Sequence, residues 1–454
     1  MARDLTTGSP MRLIWSFALP TLFGMLFQQF YNMMDTMIVG QLLGASALAS
    51  VGSTSSINFF VIGFCMGVCN GFAIPVAQRM GAGDYSQMRR CVANAGWLSA
   101  LFAVVLTVFT GLFCRTILTV MRTPEDIFDG AYWYILIIFL GIPTTFLYNL
   151  LAAVIRALGD SKTPVYFLAI SSVLNIALDL LLILYCHAGV AGAALATVIS
   201  QGISAAWVLK FLTGRRALLT LKLGCLPLQA RRVKRIVALG LSGFFMNMTN
   251  SLVQIVCNAT LQSYGGDLYV GVMTIINSLR EVFFMPVHGL SNGSQPVMGF
   301  NYGAGLYSRV RKSIRFSCGL TVAYAAAFWA AAMVLPELMI RVFNSEPEVI
   351  AAGVPALRVY FALFIPMSLQ SAGQSVFVAL GRSKQAVFFS LLRKAIINAP
   401  LTVILPIWMG TMGVFYAEAA SQLVGGLACF STMYFTLYRP LGRLKDGEKL
   451  PRHL

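Results

Sequence analysis

Charge is scarce in this sequence. Of its 454 residues only 11% are Asp, Glu, Lys or Arg, against about 25% in a soluble domain. A soluble globular enzyme is excluded on that ground. Histidine is almost absent, with only His187, His288 and His453, and no Cys/His spacing suggests a zinc site. The nine cysteines are odd in number and scattered, so they outline no disulfide framework. Cys65 and Cys69 lie one helical turn apart and read as small buried hydrophobes. A Gly-x-x-x-x-Gly-Lys-Ser/Thr phosphate loop is missing, which argues against ATP as the energy source. No constellation of an enzyme active site is visible, and no cofactor is expected. The first apolar run is longer than the core of a signal peptide and lacks an Ala-x-Ala-like cleavage site. Asn247, Asn258 and Asn292 each begin an N-x-S/T triplet, but all fall in or beside apolar runs, where glycan attachment is implausible.

What the sequence has is apolar length, with 58% hydrophobic residues. Between Arg12 and Arg79 the only charge is Asp35, and between Lys162 and Lys210 the only one is Asp179. The segments 91–114, 130–155, 236–266, 316–336, 359–381, 395–417 and 419–438 carry none. A membrane-spanning helix needs about 20 apolar residues. Splitting the longest stretches at Gly-rich turns gives twelve spans, starting near 13, 51, 91, 131, 163, 190, 236, 268, 314, 356, 388 and 412. Runs this continuous cannot be barrel strands, which alternate every second residue. In hydrocarbon the remaining solution is the helix. The fold expected is an all-α membrane protein with twelve transmembrane helices.

The formal net charge of +17 looks at first like a nucleic-acid binder. Its placement says otherwise. With twelve spans both termini share a side. The segments on that side hold 28 of the 33 Lys and Arg, counting Lys394 in a loop at 382–394. Four lie opposite and Arg280 lies in a span. Cytoplasmic loops collect Lys and Arg. Both termini are therefore expected in the cytoplasm, with the chain in the plasma or inner membrane among its lipids and no nucleic-acid partner.

The halves echo each other. Ala157-Leu158-Gly159-Asp160-Ser161-Lys162 recurs as Ala379-Leu380-Gly381-Arg382-Ser383-Lys384. Pro75 with Gly81-Ala82-Gly83 recurs as Pro296 with Gly303-Ala304-Gly305, and Gly192 with Ser200-Gln201 as Gly413 with Ser421-Gln422. The three pairs keep the same register to within one position. The chain thus divides into two pseudo-symmetric six-helix bundles, 1–222 and 223–454, joined by a basic linker at 210–235. Parallel repeats of this kind handle substrate at their interface.

Four acids fall within spans: Asp35, Asp179, Glu281 and Glu418. A charge at membrane depth costs from about 3 to more than 10 kcal/mol, so such residues face the bundle interior and serve ion or proton paths. Asp35 stands among Gln28, Gln29, Tyr31 and Asn32, in a helix that Pro20 should bend. Asn175 and Asp179 are four apart and share a helix face. Carboxylate plus amide suits Na⁺ or a proton alike. Glu281 adjoins Arg280, and the two can neutralise each other. Glu418 is expected near the outer end of the last span, where a side chain can snorkel.

These residues resemble the multidrug and toxic compound extrusion (MATE) transporters over nearly the whole chain. The resemblance rests on Pro20 and Asp35, on Pro75 with Gly81-Ala82-Gly83, on Gln295-Pro296 through Asn301-Tyr302-Gly303-Ala304, and on the two Ala-Leu-Gly-x-Ser-Lys turns. It is similar to the DinF-like branch in particular. That resemblance implies a coupling-cation cluster at Asp35, Asn175, Asp179 and Thr197, where Na⁺ or H⁺ would bind. One departure concerns helices 7 and 10, where the NorM-like branch has acids. Here they offer only Asn247, Asn250, Gln254, Gln370 and Gln374, and Glu281 is left as the deep acid of the second half.

The function expected is secondary active efflux of amphipathic, cationic small molecules in exchange for H⁺ or Na⁺, by a monomer. Candidate substrate-cavity residues are Gln28, Tyr31 and Asn32 in the first half. In the second they are Met246, Asn250, Gln254, Asn277, Glu281, Met285, Gln370 and Gln374. Met and aromatic side chains suit varied ligands because they adapt their shape. The alternative is a lipid-linked precursor flippase of the same superfamily.

Overall fold

A computed structural model describes residues 4–121, 123–213 and 230–448. Most of the basic linker, 214–229, lies outside the described residues. Among the described residues every regular element is helical. Twelve spans account for nearly all of them.

α1 (Pro10–Gly44) and α2 (Ser46–Gly81) meet at Gly44, whose φ of +84° only glycine adopts readily. α3 is Tyr85–Leu112. α4 comes in two pieces, Glu125–Leu140 and Ile142–Ala157, bent by 46°. α5 (Lys162–Tyr185) ends in a π-helical turn over Leu181–Tyr185, and α6 is Gly189–Thr213. The second half repeats the plan. α7 (230–266) and α8 (267–303) divide at Gly266, φ +61°. α9 is Tyr307–Val334, and α10 is again two pieces, Pro347–Phe361 and Phe364–Ala379, bent by 46°. α11 (Ser383–Met409) carries a π-helical turn at Leu392–Asn398, and α12 runs over 412–441. Even the short helix Cys114–Val120 recurs, in register with the repeat, as Pro336–Arg341.

Most helices begin several positions before the apolar starts read from the sequence. Helix geometry continues past the hydrocarbon thickness into polar flanks, which apolar counting does not register. α1 stays helical through Pro20. Proline removes a backbone donor there. Close by, the Thr21 hydroxyl donates to the Phe17 carbonyl at 2.7 Å.

The described chain forms two compact units. Among the described residues one holds Asp4 with 23–213 and 230–244, and the other holds Leu5–Leu22 and 245–448. The chain thus passes from one unit to the other within α1 at 22–23 and within α7 at 244–245, which are equivalent places in the repeat. Inside the first unit, Gly71 of α2 packs on α7. A Cβ on Gly71 would collide with the Leu239 oxygen and fall 2.5 Å from the Gly240 Cα. Inside the second, Gly293 of α8 packs on α1, where a Cβ would fall 2.5 Å from the nitrogen and the Cα of Ala18. Small residues let helix backbones approach closely in membranes. Because both obstacles are backbone, Gly71→Ala and Gly293→Ala are each expected to cost about 2–3 kcal/mol through overpacking. Gly96→Ala and Gly319→Ala, which meet open space, are the controls expected to lose nothing. Melting temperatures in detergent decide it; equal melting across the four variants refutes the packing account.

The second unit also holds the segments that flank its helices. Asn301 and Arg309 donate to the carbonyls of Leu5, Thr7 and Gly8, at 2.7–3.3 Å. The start of α9 is secured differently from that of its repeat partner. α3 is capped by Asp84, which accepts from the Gln87 N–H. α9 has no side-chain cap from its own N-cap residue. Asp446 of the C-terminal tail supplies one instead, accepting from the Ser308 N–H at 2.9 Å and the Ser308 hydroxyl at 2.5 Å. These bonds hold the Asp446 carboxyl below the ordinary aspartate range.

Candidate ion-coupling site

α1, α5 and α6 bring Asp35, Asn175, Asp179 and Thr197 together in the first unit. Asp35 is 8% exposed, and Asn175 and Asp179 are fully buried. The Asn175 amide donates to the Thr197 hydroxyl at 3.3 Å. Asp35 and Asp179 lie within electrostatic reach of one another. Tyr31, one turn before Asp35 on α1, hydrogen-bonds Thr197 through its hydroxyl at 3.0 Å. Tyr31 therefore stands in this cluster. Buried Tyr134 of α4 lies within electrostatic reach of Asp35, Tyr31 and Asp179.

What distinguishes the cluster is acceptors without donors. One Asp35 oxygen, both Asp179 oxygens and the Asn175 carbonyl oxygen are buried and have no hydrogen-bond partner. Buried polar atoms of folded proteins are nearly always paired. Four convergent orphan oxygens, two of them on one carboxylate, are a strong exception. Two ionised carboxylates at close range in a dry setting repel each other. A proton held between them removes the repulsion, and so does a hard monovalent cation. The donor set is entirely oxygen, which fits either.

The second unit differs from expectation. Glu418 does not snorkel from an outer end. It is 4% exposed and accepts from the Lys394 ammonium at 3.1 Å and from the Asn398 amide. Lys394 is not a loop residue: it is 4% exposed and sits in the π-helical turn of α11. Counting it with the loops failed because one lysine at the edge of an apolar run looks like a flank. Its partner lies on the next span, α12. Thr402 donates to the Asn398 carbonyl oxygen at 3.2 Å, and Cys257 of α7 touches Thr402 at 3.7 Å. Glu281, expected deep, is 70% exposed and paired with Arg280 at 2.7 Å. Arg280 in turn donates to Tyr360 at 3.3 Å. The adjacent cation lets that acid lie at the surface of its unit rather than inside it.

The residues expected to line a cavity are placed as follows within their own units. Gln28 donates to Asn32 one turn on, at 3.4 Å, and the pair is part-buried. Asn250 and Gln254 are exposed along one face of α7. Asn277 and Met285 are half-buried on α8. Gln374 donates to the Ala386 carbonyl, and buried Gln370 to that of Phe389. Those two amides stitch α10 to α11. The side chain of Met246 lies outside the described residues.

Sequence reasoning missed Tyr134, Lys394, Asn398 and Thr402. The signal that finds Asn398 and Thr402 is the repeat. Carried into the second half and moved one place further on, the Asn175–Asp179 pair lands on Asn398 and Thr402 with its spacing unchanged.

Comparison with known proteins agrees with this layout. The family model MatE matches residues 20–181 and again 243–404. A curated relative in Bacillus subtilis, described as probable multidrug resistance protein YpnP, is 28% identical over 98% of both chains. Among solved structures, a MATE in the bent conformation superposes with a TM-score of 0.91 at 20% identity, covering 97% of this chain and 98% of that one. A Pyrococcus furiosus transporter of the MOP superfamily, whose description suggests a different function from the reverse polarity of its binding pocket, superposes with a TM-score of 0.88 at 21% identity. It covers 97% and 98% of the two chains.

Proposed function

The chain belongs to the MatE family of multidrug efflux transporters, and from that membership we propose that it is an antiporter that exports amphipathic, cationic compounds in exchange for H⁺ or Na⁺. The observation that carries this reading is the set of four buried, unpartnered oxygens on Asp35, Asn175 and Asp179.

Coupling follows from charge. With the site empty, Asp35 and Asp179 push apart, and α1 is held in one arrangement. A proton or Na⁺ between them cancels the repulsion and lets α1 close on α5 and α6. Tyr31 moves with Asp35 because both are on α1, and its bond to Thr197 reports the same closure. α1 changes unit at 22–23, beside Pro20, where a backbone hydrogen bond is missing. We take that point as the place where the movement is absorbed. An ion can shift such an equilibrium only by its differential affinity for the two arrangements. Substrate binding and ion binding then oppose each other reciprocally. Gln28 and Asn32 on α1 and Asn250 and Gln254 on α7 are the polar groups assigned to the substrate. Both termini are assigned to the cytoplasm and the protein to the cell membrane, as a monomer among lipids.

The test is transport of a fluorescent lipophilic cation in proteoliposomes, with pH and Na⁺ gradients imposed in turn. Uphill movement driven by one of them is expected. No movement under either refutes antiport. Arg280, Arg393 and Lys394 within the spans of the second unit favour a second reading, a flippase of an anionic lipid-linked precursor. The same vesicles distinguish it, since that protein would translocate a lipid-linked sugar and ignore the dye.

A further inference from the structure

The second unit contains a counterpart of the Asp35–Asp179 cluster, and there a lysine lies on the acid. By the internal repeat Asp35 maps to Cys257, Asn175 to Asn398, Asp179 to Thr402 and Thr197 to Glu418. Asn398 and Thr402 fall one place later than the register of the Ala-Leu-Gly-x-Ser-Lys turns before them. That step has a structural cause, because the π-helical turn at Leu392–Asn398 fits one extra residue into α11.

Two of the contacts correspond. In the first unit the α5 amide donates to the α6 residue, Asn175 to Thr197; in the second the α11 amide donates to the α12 residue, Asn398 to Glu418. In the first unit the α1 residue stands beside the second residue of the α5 pair, Asp35 by Asp179. In the second the α7 residue stands beside the second residue of the α11 pair, Cys257 by Thr402 at 3.7 Å. Two units of different sequence share the same four-cornered arrangement.

One difference decides what each corner set does. Lys394 has no cationic counterpart, because on either side of that register step it maps to serine, Ser171 or Ser172. Its ammonium is buried and reaches both oxygens of Glu418, at 3.1 and 3.5 Å. In the first unit no cation among the described residues pairs with the carboxylates, and four oxygens are left over. In the second the acid has moved to α12 and a covalently tethered cation rests on it.

We propose that Lys394 is a built-in substitute for the coupling ion, so that the second unit's site is permanently loaded and exchangeable H⁺ or Na⁺ is taken up only in the first unit. This rests on the reading of Asp35 and Asp179 as the coupling pair. It deepens that reading by stating where a second ion would go and why none goes there. It also makes Lys394 a specificity-determining residue for ion stoichiometry. Arg393 and Arg280 also lie within electrostatic reach of Glu418, but among the described residues only Lys394 and Asn398 donate hydrogen bonds to its carboxylate. A buried carboxylate that loses its hydrogen-bonded cation takes up a proton or another cation. Removing the ammonium while keeping Glu418 therefore opens a second ion site.

The experiment separates this from the primary reading by silencing the first site. The background is the full chain with Asp35→Asn and Asp179→Asn, purified in detergent, and the probes are NaCl and pH. The background alone is expected to melt at a temperature insensitive to Na⁺ against K⁺ and to pH between 6 and 8. Adding Lys394→Met is expected to lower the melting temperature at high pH in K⁺, and to restore it in Na⁺ or at low pH. Adding Lys394→Met with Glu418→Gln is expected to remove that ion response. Lys394→Gln, which keeps a donor for Glu418, should give the same response at smaller amplitude. An ion response already present in the background, and unchanged by Lys394→Met, overturns the proposal. So does a Lys394→Met protein that folds and responds to neither ion. If neither lysine variant folds under any ion condition while the double Lys394→Met/Glu418→Gln does, no external ion replaces the ammonium, and the proposal is equally overturned. Failure of the coupling reading instead shows in otherwise unaltered protein, as full ion dependence after Asp35→Asn and again after Asp179→Asn.

Discussion

Replacing Asp179 by Asn is expected to abolish ion-driven efflux while leaving the protein folded. The substitution preserves volume at a fully buried position and removes only the charge and one acceptor. Both Asp179 oxygens lack a hydrogen-bond partner, so no native bond is broken. The new amide can donate to Asp35, a bond two ionised carboxylates cannot make. With ion binding weakened by about 3 kcal/mol, which is about 100-fold, gradient-driven transport should fall below measurement at ordinary ion concentrations. Stability should move the other way. Removing one of two facing carboxylates relieves repulsion in the empty site, so the variant should melt at or above the unaltered protein at high pH without Na⁺. Asp35→Asn should behave alike. Tyr31→Phe deletes a single hydrogen bond to Thr197 worth about 1 kcal/mol, and should cost only a few-fold in apparent ion affinity. Efflux in vesicles and melting curves with and without Na⁺ read these effects. Full ion dependence in both Asn variants would end the coupling assignment.

The fold was legible because span and repeat are written in local composition. Uncharged runs mark helices one at a time, and motifs recurring in constant register reveal the duplication without knowledge of contacts. The clustering of Asp35, Asn175 and Asp179 was legible for a related reason. Asp35 and Asp179 are rare charges in apolar surroundings, and Asn175 lies one turn away on the same helix. The second cluster was not. Lys394 stands where a flanking cation is common, and nothing local says that it pairs with Glu418 on the following span. Glu281 misled in the opposite direction. An acid in the middle of a span suggests depth, but Arg280 beside it neutralises it, and its position around the helix axis leaves Glu281 facing outward. Gln370 and Gln374 looked like a polar lining. Each instead donates to a carbonyl of α11, a choice that depends on how closely α10 and α11 pack.

The Lys394–Glu418 cluster sets the largest expected loss of stability. Glu418→Ala leaves the Lys394 ammonium buried with no anion, close to Arg393 and Arg280. Breaking one partner of a buried pair costs about 3–5 kcal/mol, because the surviving charge is stranded. No bound cation compensates, since added cations are repelled from the site. The variant should therefore melt far below the unaltered protein in Na⁺ and K⁺ alike, and it should be harder to recover from membranes than any carboxylate variant of the first unit. Adding Lys394→Met should return most of the loss. Exchanging a whole buried pair for apolar groups of similar volume is often neutral, so the double variant should melt well above Glu418→Ala. Melting temperatures of the single variants and the double variant, compared as a cycle, measure the coupling directly. A Glu418→Ala protein as stable as the unaltered one would mean that the ammonium finds another anion or leaves the interior. The two single variants also differ in what can rescue them. A stranded carboxylate can be neutralised by cations from solution, but a stranded ammonium cannot be neutralised by the same ions. If both single variants responded identically to Na⁺, the pair would be ordinary packing. Opposite responses are what a tethered cation in an ion site requires.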